Sequence, residues 1–142
     1  MEKMKIREAK KADLEGISNL FNTLSATDKK YLALDKKMSI IKQNTRNGRH
    51  VFVAESVSQI VGFARESGRP NKFIMLEEIV IHPDFREKGV GSKLLQFVIE
   101  RHPKIEAKTL AVNDKIALLL EKHGFSKVKT SPKGEIIYWQ RA

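Results

Sequence analysis

Residues 86–95 read REKGVGSKLL, an arginine and a spacer followed by glycines at 89 and 91 that run into an apolar helical pattern. Glycine ahead of a helix lets the backbone approach a ligand closely, and the helix start offers unpaired N–H groups to an anion. Two familiar phosphate loops do not fit. A Walker loop needs Gly-Lys-Ser/Thr, but Ser92 separates Gly91 from Lys93 and Arg86 holds the earlier glycine's place. A dinucleotide-binding GxGxxG needs glycine where Leu94 stands. What remains is RxxGxG at a strand–loop–helix junction. The backbone of Glu87, Lys88, Gly89, Val90, Gly91 and Ser92 would then turn its N–H groups outward, where the helix dipole also favours negative charge. A pyrophosphate is the expected guest, with a simple tight turn as the competing reading.

Glu77 and Glu78 interrupt an otherwise apolar strand, KFIMLEEIVIHP. Adjacent strand residues face opposite sides, so the two carboxylates are expected to point apart. A carboxylate in such a strand is costly unless a cleft solvates it or a lysine or arginine pairs with it across the sheet. Glu78 reads as structural, and Glu77 stays open between pairing and chemistry. His50, His82, His102 and His123 are scattered without metal-ligand spacing, so no metal site is expected.

The elements that must position these groups follow from periodicity. MKIRE alternates as a first strand. From Asp13, an N-cap candidate, Leu14, Ile17, Phe21 and Leu24 recur at helical spacing, and Tyr31, Leu34, Met38 and Ile41 predict a second helix. HVFVAE and QIVGFARE flank a short polar turn as two strands. KFIMLEEIVIHP, apolar on both faces, is the expected central strand. Val90, Leu94, Leu95 and Val98 give a third helix its buried face, KTLAVND reads as a strand, and a fourth helix runs from Lys115 to His123 with Gly124 as its stop. FSKVKT and EIIYWQR close the chain as a hairpin around SPKG, with Tyr138 and Trp139 as packing residues or, less directly, a pocket wall. The order βααβββαβαββ predicts an α/β fold, a mixed twisted sheet with helices on both faces.

With 142 residues and no repeat or linker, one domain spanning 1–142 is expected. The absence of cysteine excludes thiol nucleophiles and cysteine-ligated zinc and fits a reducing compartment. No apolar run approaches the ~20 residues of a membrane span. MEKMKIREAKK lacks a signal peptide's apolar stretch, so a cytoplasmic protein without membrane contact is expected. Lys and Arg number 27 against 17 Asp and Glu, a formal +10 that suits an anionic partner or a solvated lysine-rich surface.

Three segments in order resemble the GNAT superfamily of N-acetyltransferases: KIREAKKADLEGI, VIHPDFREKGVGSKLL and NDKIALLLEKHGF. The resemblance covers nearly the whole chain. It implies acetyl-CoA as donor, a sheet splayed between its fourth and fifth strands, and pantetheine in that gap against the backbone of Ile79, Val80 and Ile81. It also implies a pyrophosphate on residues 87–92, with Arg86 nearby or bracing the loop. Asn113 matches an asparagine that commonly contacts CoA, an N-cap role being the alternative. Glu77 matches the position that often carries a general base, or a water-orienting acid, in polyamine-type members. One position departs from the pattern: Leu120 stands where a tyrosine usually protonates the departing thiolate. Tyr138 or a water are the substitutes.

The leading expectation is therefore acetyl transfer from acetyl-CoA to a primary amine, on a small molecule or a protein, by direct attack in a ternary complex. Two readings compete with it. One is an acyl-CoA-binding regulatory domain with little catalysis, which Leu120 keeps open. The other is a basic nucleic-acid-binding module, disfavoured because the aromatics are few and not interleaved with basic residues. A homodimer is compatible with the sequence.

Overall fold

The computed structural model describes residues 4–24, 49–68, 73–111 and 114–141. The predicted second helix and Asn113 lie outside the described residues. Within them the chain forms β1 (Met4–Glu8), α1 (Leu14–Phe21), β2 (Arg49–Ser56), β3 (Gln59–Ser67), β4 (Ile74–Ile81), α2 (Val90–Arg101), β5 (Ile105–Leu110), α3 (Asp114–Lys122), β6 (Ser126–Thr130) and β7 (Ile136–Arg141). Single 3-10 turns precede α1 at Lys11–Asp13 and follow β4 at Pro83–Phe85.

All strands join one seven-stranded sheet in the order β1-β2-β3-β4-β5-β7-β6. β4 is central, as its two apolar faces predict. It runs parallel to β5, whereas its pairing with β3 is antiparallel, so the sheet is mixed. Strand alternation sorts the core onto the two faces. Val51 and Val53 of β2 pack with Ile17, Leu20 and Phe21 of α1, while Phe52 and Ala54 join Val90, Leu94, Leu95 and Val98 of α2 and Leu120 of α3. Burying each such leucine contributes about 1.5–3 kcal/mol. Helices thus cover both faces.

Two local expectations are corrected. Asp13 makes no side-chain cap for α1. Its carboxylate instead accepts the Lys10 N–H at 2.7 Å and both terminal nitrogens of Arg7 at 2.8 and 2.9 Å, which ties β1 to the turn. A forked guanidinium pair outcompetes one backbone donor. The strand expected over KTLAVND begins earlier, at Ile105, and ends at Leu110. Ile105 and Ala107 pair on both sides, with Ile74 and Leu76 of β4 and with Arg141 and Trp139 of β7, and this two-sided pairing draws residues 105–107 into the sheet. Gly124 does stop the last helix, in a left-handed conformation with φ 89°.

Candidate active site

A cleft opens at the centre of the sheet because β4 and β5 pair only over Ile74, Met75 and Leu76. Beyond that point β5 stays paired with β7, whereas β4 bends away. The bend begins at a β-bulge: Leu76 lies opposite Glu66 and Glu78 opposite Arg65, so Glu77 has no partner on β3. Bulges strengthen the local twist and re-aim side chains. The gap is a cavity of about 640 Å³, walled by residues 77–81 of β4, by Lys108, Thr109 and Leu110 of β5, and by α3.

The bulge overturns one expectation. Glu77 and Glu78 do not point apart; both line the cavity and both reach the same guanidinium. Arg65 donates from Nε and Nη2 to Glu78 at 2.6 and 2.9 Å, and its Nη2 lies 3.5 Å from Oε2 of Glu77. Burial works against the charge on Arg65, but the hydrogen bonds and charge of Glu78, with Glu77 behind them, raise its pKa and keep it protonated. Lys108 Nζ sits 3.0 Å from the same Oε2 of Glu77. The pairing reading of Glu77 therefore holds, and so does its position in the cleft. Cations fix one carboxylate oxygen, while Oε1 has no partner among the described residues.

The loop between β4 and α2 closes one end of the cavity, through Arg86, Glu87, Gly89, Gly91 and Ser92. Glu87 at φ 65° and Gly89 at φ 84° both take left-handed backbone, an arrangement that turns successive N–H groups to one side. Among the described residues no backbone N–H of residues 87–92 makes a short, well-aligned bond to a main-chain carbonyl; the first such bond of the helix start is Lys93 N–H to Gly89 O. Arg86 lines the cavity with no side-chain partner among the described residues. The two glycines serve different ends. Gly89 supplies φ, with open space where a Cβ would stand, whereas a Cβ on Gly91 would lie 2.8 Å from Leu119 Cδ2 of α3. Gly91 thus lets two helices meet at the cavity wall, a role that spacing alone does not reveal.

A family model described as an acetyltransferase (GNAT) domain matches residues 47–127, more than half of the chain. The chain belongs to the GNAT family. This GNAT chain is 27% identical over 106 residues to the L-amino acid N-acyltransferase MnaT of Escherichia coli K12, a match spanning 68% of this chain and 62% of that relative. It is 26% identical over 135 residues to the uncharacterized N-acetyltransferase YhfO of Bacillus subtilis 168, covering 87% and 91% of the two chains. Its fold superposes with a TM-score of 0.82 on the PaiA N-acetyltransferase of Thermoplasma acidophilum, solved with coenzyme A, at 16% identity and 98% coverage of both chains.

In this GNAT domain the structure gathers Glu77, Ile79, Val80, Ile81, Arg86, Glu87, Gly89, Gly91 and Ser92 around one cavity. Two of the expected loop residues turn their side chains elsewhere. Val90 is buried in the core, and Lys88 Nζ lies 5.5 Å from the centre of the Phe85 ring, so neither side chain lines the cavity. Ser92 Oγ is 3.2 Å from Nε2 of His123, whose pKa is lowered by burial and by the charges of Lys122 and Arg141. Sequence reasoning missed Arg65, Lys108, Lys115, Leu118 and Lys122, all of which line the cavity. The last three had a signal: positions 115, 118 and 122 fall on one stripe of α3.

Leu120 is fully buried in the core beneath α3 rather than at the cavity wall. Tyr138 is not part of the cavity lining either; its ring lies 5.0 Å from Lys129 Nζ. Trp139 is buried and donates to Thr109 Oγ1 at 3.0 Å, in keeping with a packing role. Tyr138, the side chain named from sequence as a substitute proton donor, is therefore outside the cavity lining. Leu120→Tyr is expected to lower stability by about 1–3 kcal/mol through overpacking, read as a shift in the urea midpoint at constant slope. An unchanged midpoint would mean that the ring finds a route into the cleft.

Proposed function

We propose that this GNAT chain moves an acetyl group from acetyl-CoA to a primary amine by direct attack in a ternary complex. The observation that carries this reading is continuity: a single cavity connects the loop, whose N–H groups lack well-aligned main-chain partners, to the Glu77 carboxylate. The residues present suit the donor. Residues 87–92 and Arg86 offer hydrogen bonds and positive charge to a pyrophosphate, and the edge of β4 left open beyond Leu76 offers strand-like pairing to pantetheine amides. Acetyl-CoA supplies the activated acyl carbon as a thioester. An amine reaches the site as ammonium and attacks only after losing a proton, for which the free Oε1 of Glu77 is the acceptor. The nitrogen then bonds the acyl carbon, the carbon–sulfur bond breaks, and the surplus proton on nitrogen passes through solvent to the departing thiolate, which leaves as the thiol. A thiol with pKa near ~8.5 departs without a dedicated acid, which Leu120 cannot provide.

Calorimetric titration with acetyl-CoA, followed by an amine panel read out by thiol release, tests the proposal. Binding with turnover of at least one amine supports it. Binding without turnover of any amine would replace it with the acyl-CoA-binding reading. The donor is polyanionic and the chain carries a formal +10, with Arg86, Lys115 and Lys122 on the cavity wall. Donor affinity is therefore expected to fall as salt rises from low to high ionic strength, with the Debye length shrinking from about 30 Å at 0.01 M to about 3 Å at 1 M. An affinity that ignores salt would show that these cations do not face the donor.

A further inference from the structure

The acceptor end of the cleft carries more charge pairing than an amine alone requires. A site for a polycationic amine needs carboxylates in excess. Here, among the described residues, both carboxylates are matched: Glu78 by Arg65 at 2.6 Å, and Glu77 by Lys108 at 3.0 Å. These four groups line the same cavity. The cations retain unused donors. An ammonium has three N–H bonds, and Lys108 spends one on Glu77 while its side chain stays 39% exposed. Arg65 commits Nε and Nη2, leaving Nη1 without a partner among the described residues. On the anionic side, Oε1 of Glu77 is free in the same sense. The site thus offers one open acceptor beside two sets of open donors.

We propose that the acceptor is an amine that carries its own carboxylate beside the amino group, an amino acid rather than a polyamine or a plain alkylamine. This rests on the acetyl-transfer reading of the cleft. The ammonium sits on Oε1 of Glu77 and the carboxylate on Lys108 Nζ and Arg65 Nη1. A zwitterion laid head-to-tail along the Glu77–Lys108 pair meets an opposite charge at each end. In an α-amino acid one carbon separates the two charged groups, a span comparable to that of an ion pair in contact. Leu24, Leu110 and Ile136 line the same cavity and provide an apolar wall for a side chain. Lys108 and Arg65 act as specificity-determining residues, and by holding Oε2 they also set the angle of the Glu77 carboxylate.

The test uses the full chain at saturating acetyl-CoA with the proteinogenic amino acids as acceptors, following thiol release. The best of them is then compared with its carboxamide, its decarboxylated amine and spermidine. Loss of a charge-assisted contact predicts that the amino acid exceeds all three in kcat/KM by about 10- to 100-fold. Lys108→Met should shrink that margin by raising KM for the amino acid more than for its decarboxylated amine, with Lys108→Gln as a second variant and a melting curve as the check on folding. A decarboxylated amine or spermidine that equals or beats the amino acid overturns the proposal while leaving acetyl transfer in place. So does a margin that survives both Lys108 substitutions. Donor binding without transfer to any amine removes the acetyl-transfer reading, and this proposal with it.

Discussion

Glu77→Gln lowers kcat/KM by about 10²–10⁴-fold near neutral pH, the range contributed by a positioned proton acceptor. The amide keeps the shape of the carboxylate but cannot take a proton from an ammonium. The deficit should narrow as pH rises from about 7 towards 10, because the free amine then forms without help. The side chain sits in a charged cluster, so a control is needed. Lys108 loses its 3.0 Å partner in this variant, whereas Arg65 keeps Glu78 at 2.6 Å. The cluster is therefore expected to survive, and a thermal melt within a few degrees of the parent would show it. A pH–rate profile parallel to that of the parent at every pH would remove Glu77 from the proton path and make solvent the base.

Arg86→Glu weakens acetyl-CoA binding by 100-fold or more. A hydrogen bond to a charged group contributes about 1.5–3 kcal/mol, roughly 10- to 150-fold, and reversal adds repulsion to that loss. The parent arginine bonds to no side chain among the described residues and lines the cavity, so its replacement leaves no broken pair behind. The fold should therefore be unaffected, and calorimetry of a normally melting variant isolates binding. Arg86→Ala should fall between the two. Salt should weaken the parent more than Arg86→Glu, because fewer favourable charges remain to be screened. Equal affinities for parent and both variants would place the donor's pyrophosphate elsewhere.

Much of this arrangement could be read without coordinates. The periodicities of Val90, Leu94, Leu95 and Val98 and of the β2 and β3 segments report local geometry, which each residue's neighbours in sequence largely determine. The same holds for the central place of β4, whose two apolar faces admit only a buried strand. RxxGxG marked the loop that closes one end of the cavity for a comparable reason, since left-handed backbone at Gly89 and a helix start are both local facts. Asp13 stands at the N-cap position of α1 as read, but Arg7, six positions away, takes its carboxylate, and spacing along α1 carries no trace of that competition.

The charge cluster around Glu77 lay beyond the sequence. Strand alternation placed Glu77 and Glu78 on opposite faces, but alternation fails at a bulge, and the bulge depends on how β3 registers against β4. Arg65 and Lys108 looked like two more of 27 basic residues, because pairing across strands brings together groups that sequence separation keeps apart. Leu120 was legible as a missing proton donor, yet only packing shows it buried under α3, outside the cavity. The sequence alone therefore determined the elements, the family resemblance and the glycine loop at the start of α2, all written in short-range pattern. The tertiary structure decided which charges meet in the cleft, because those contacts arise from strand register and from the divergence of β4 and β5.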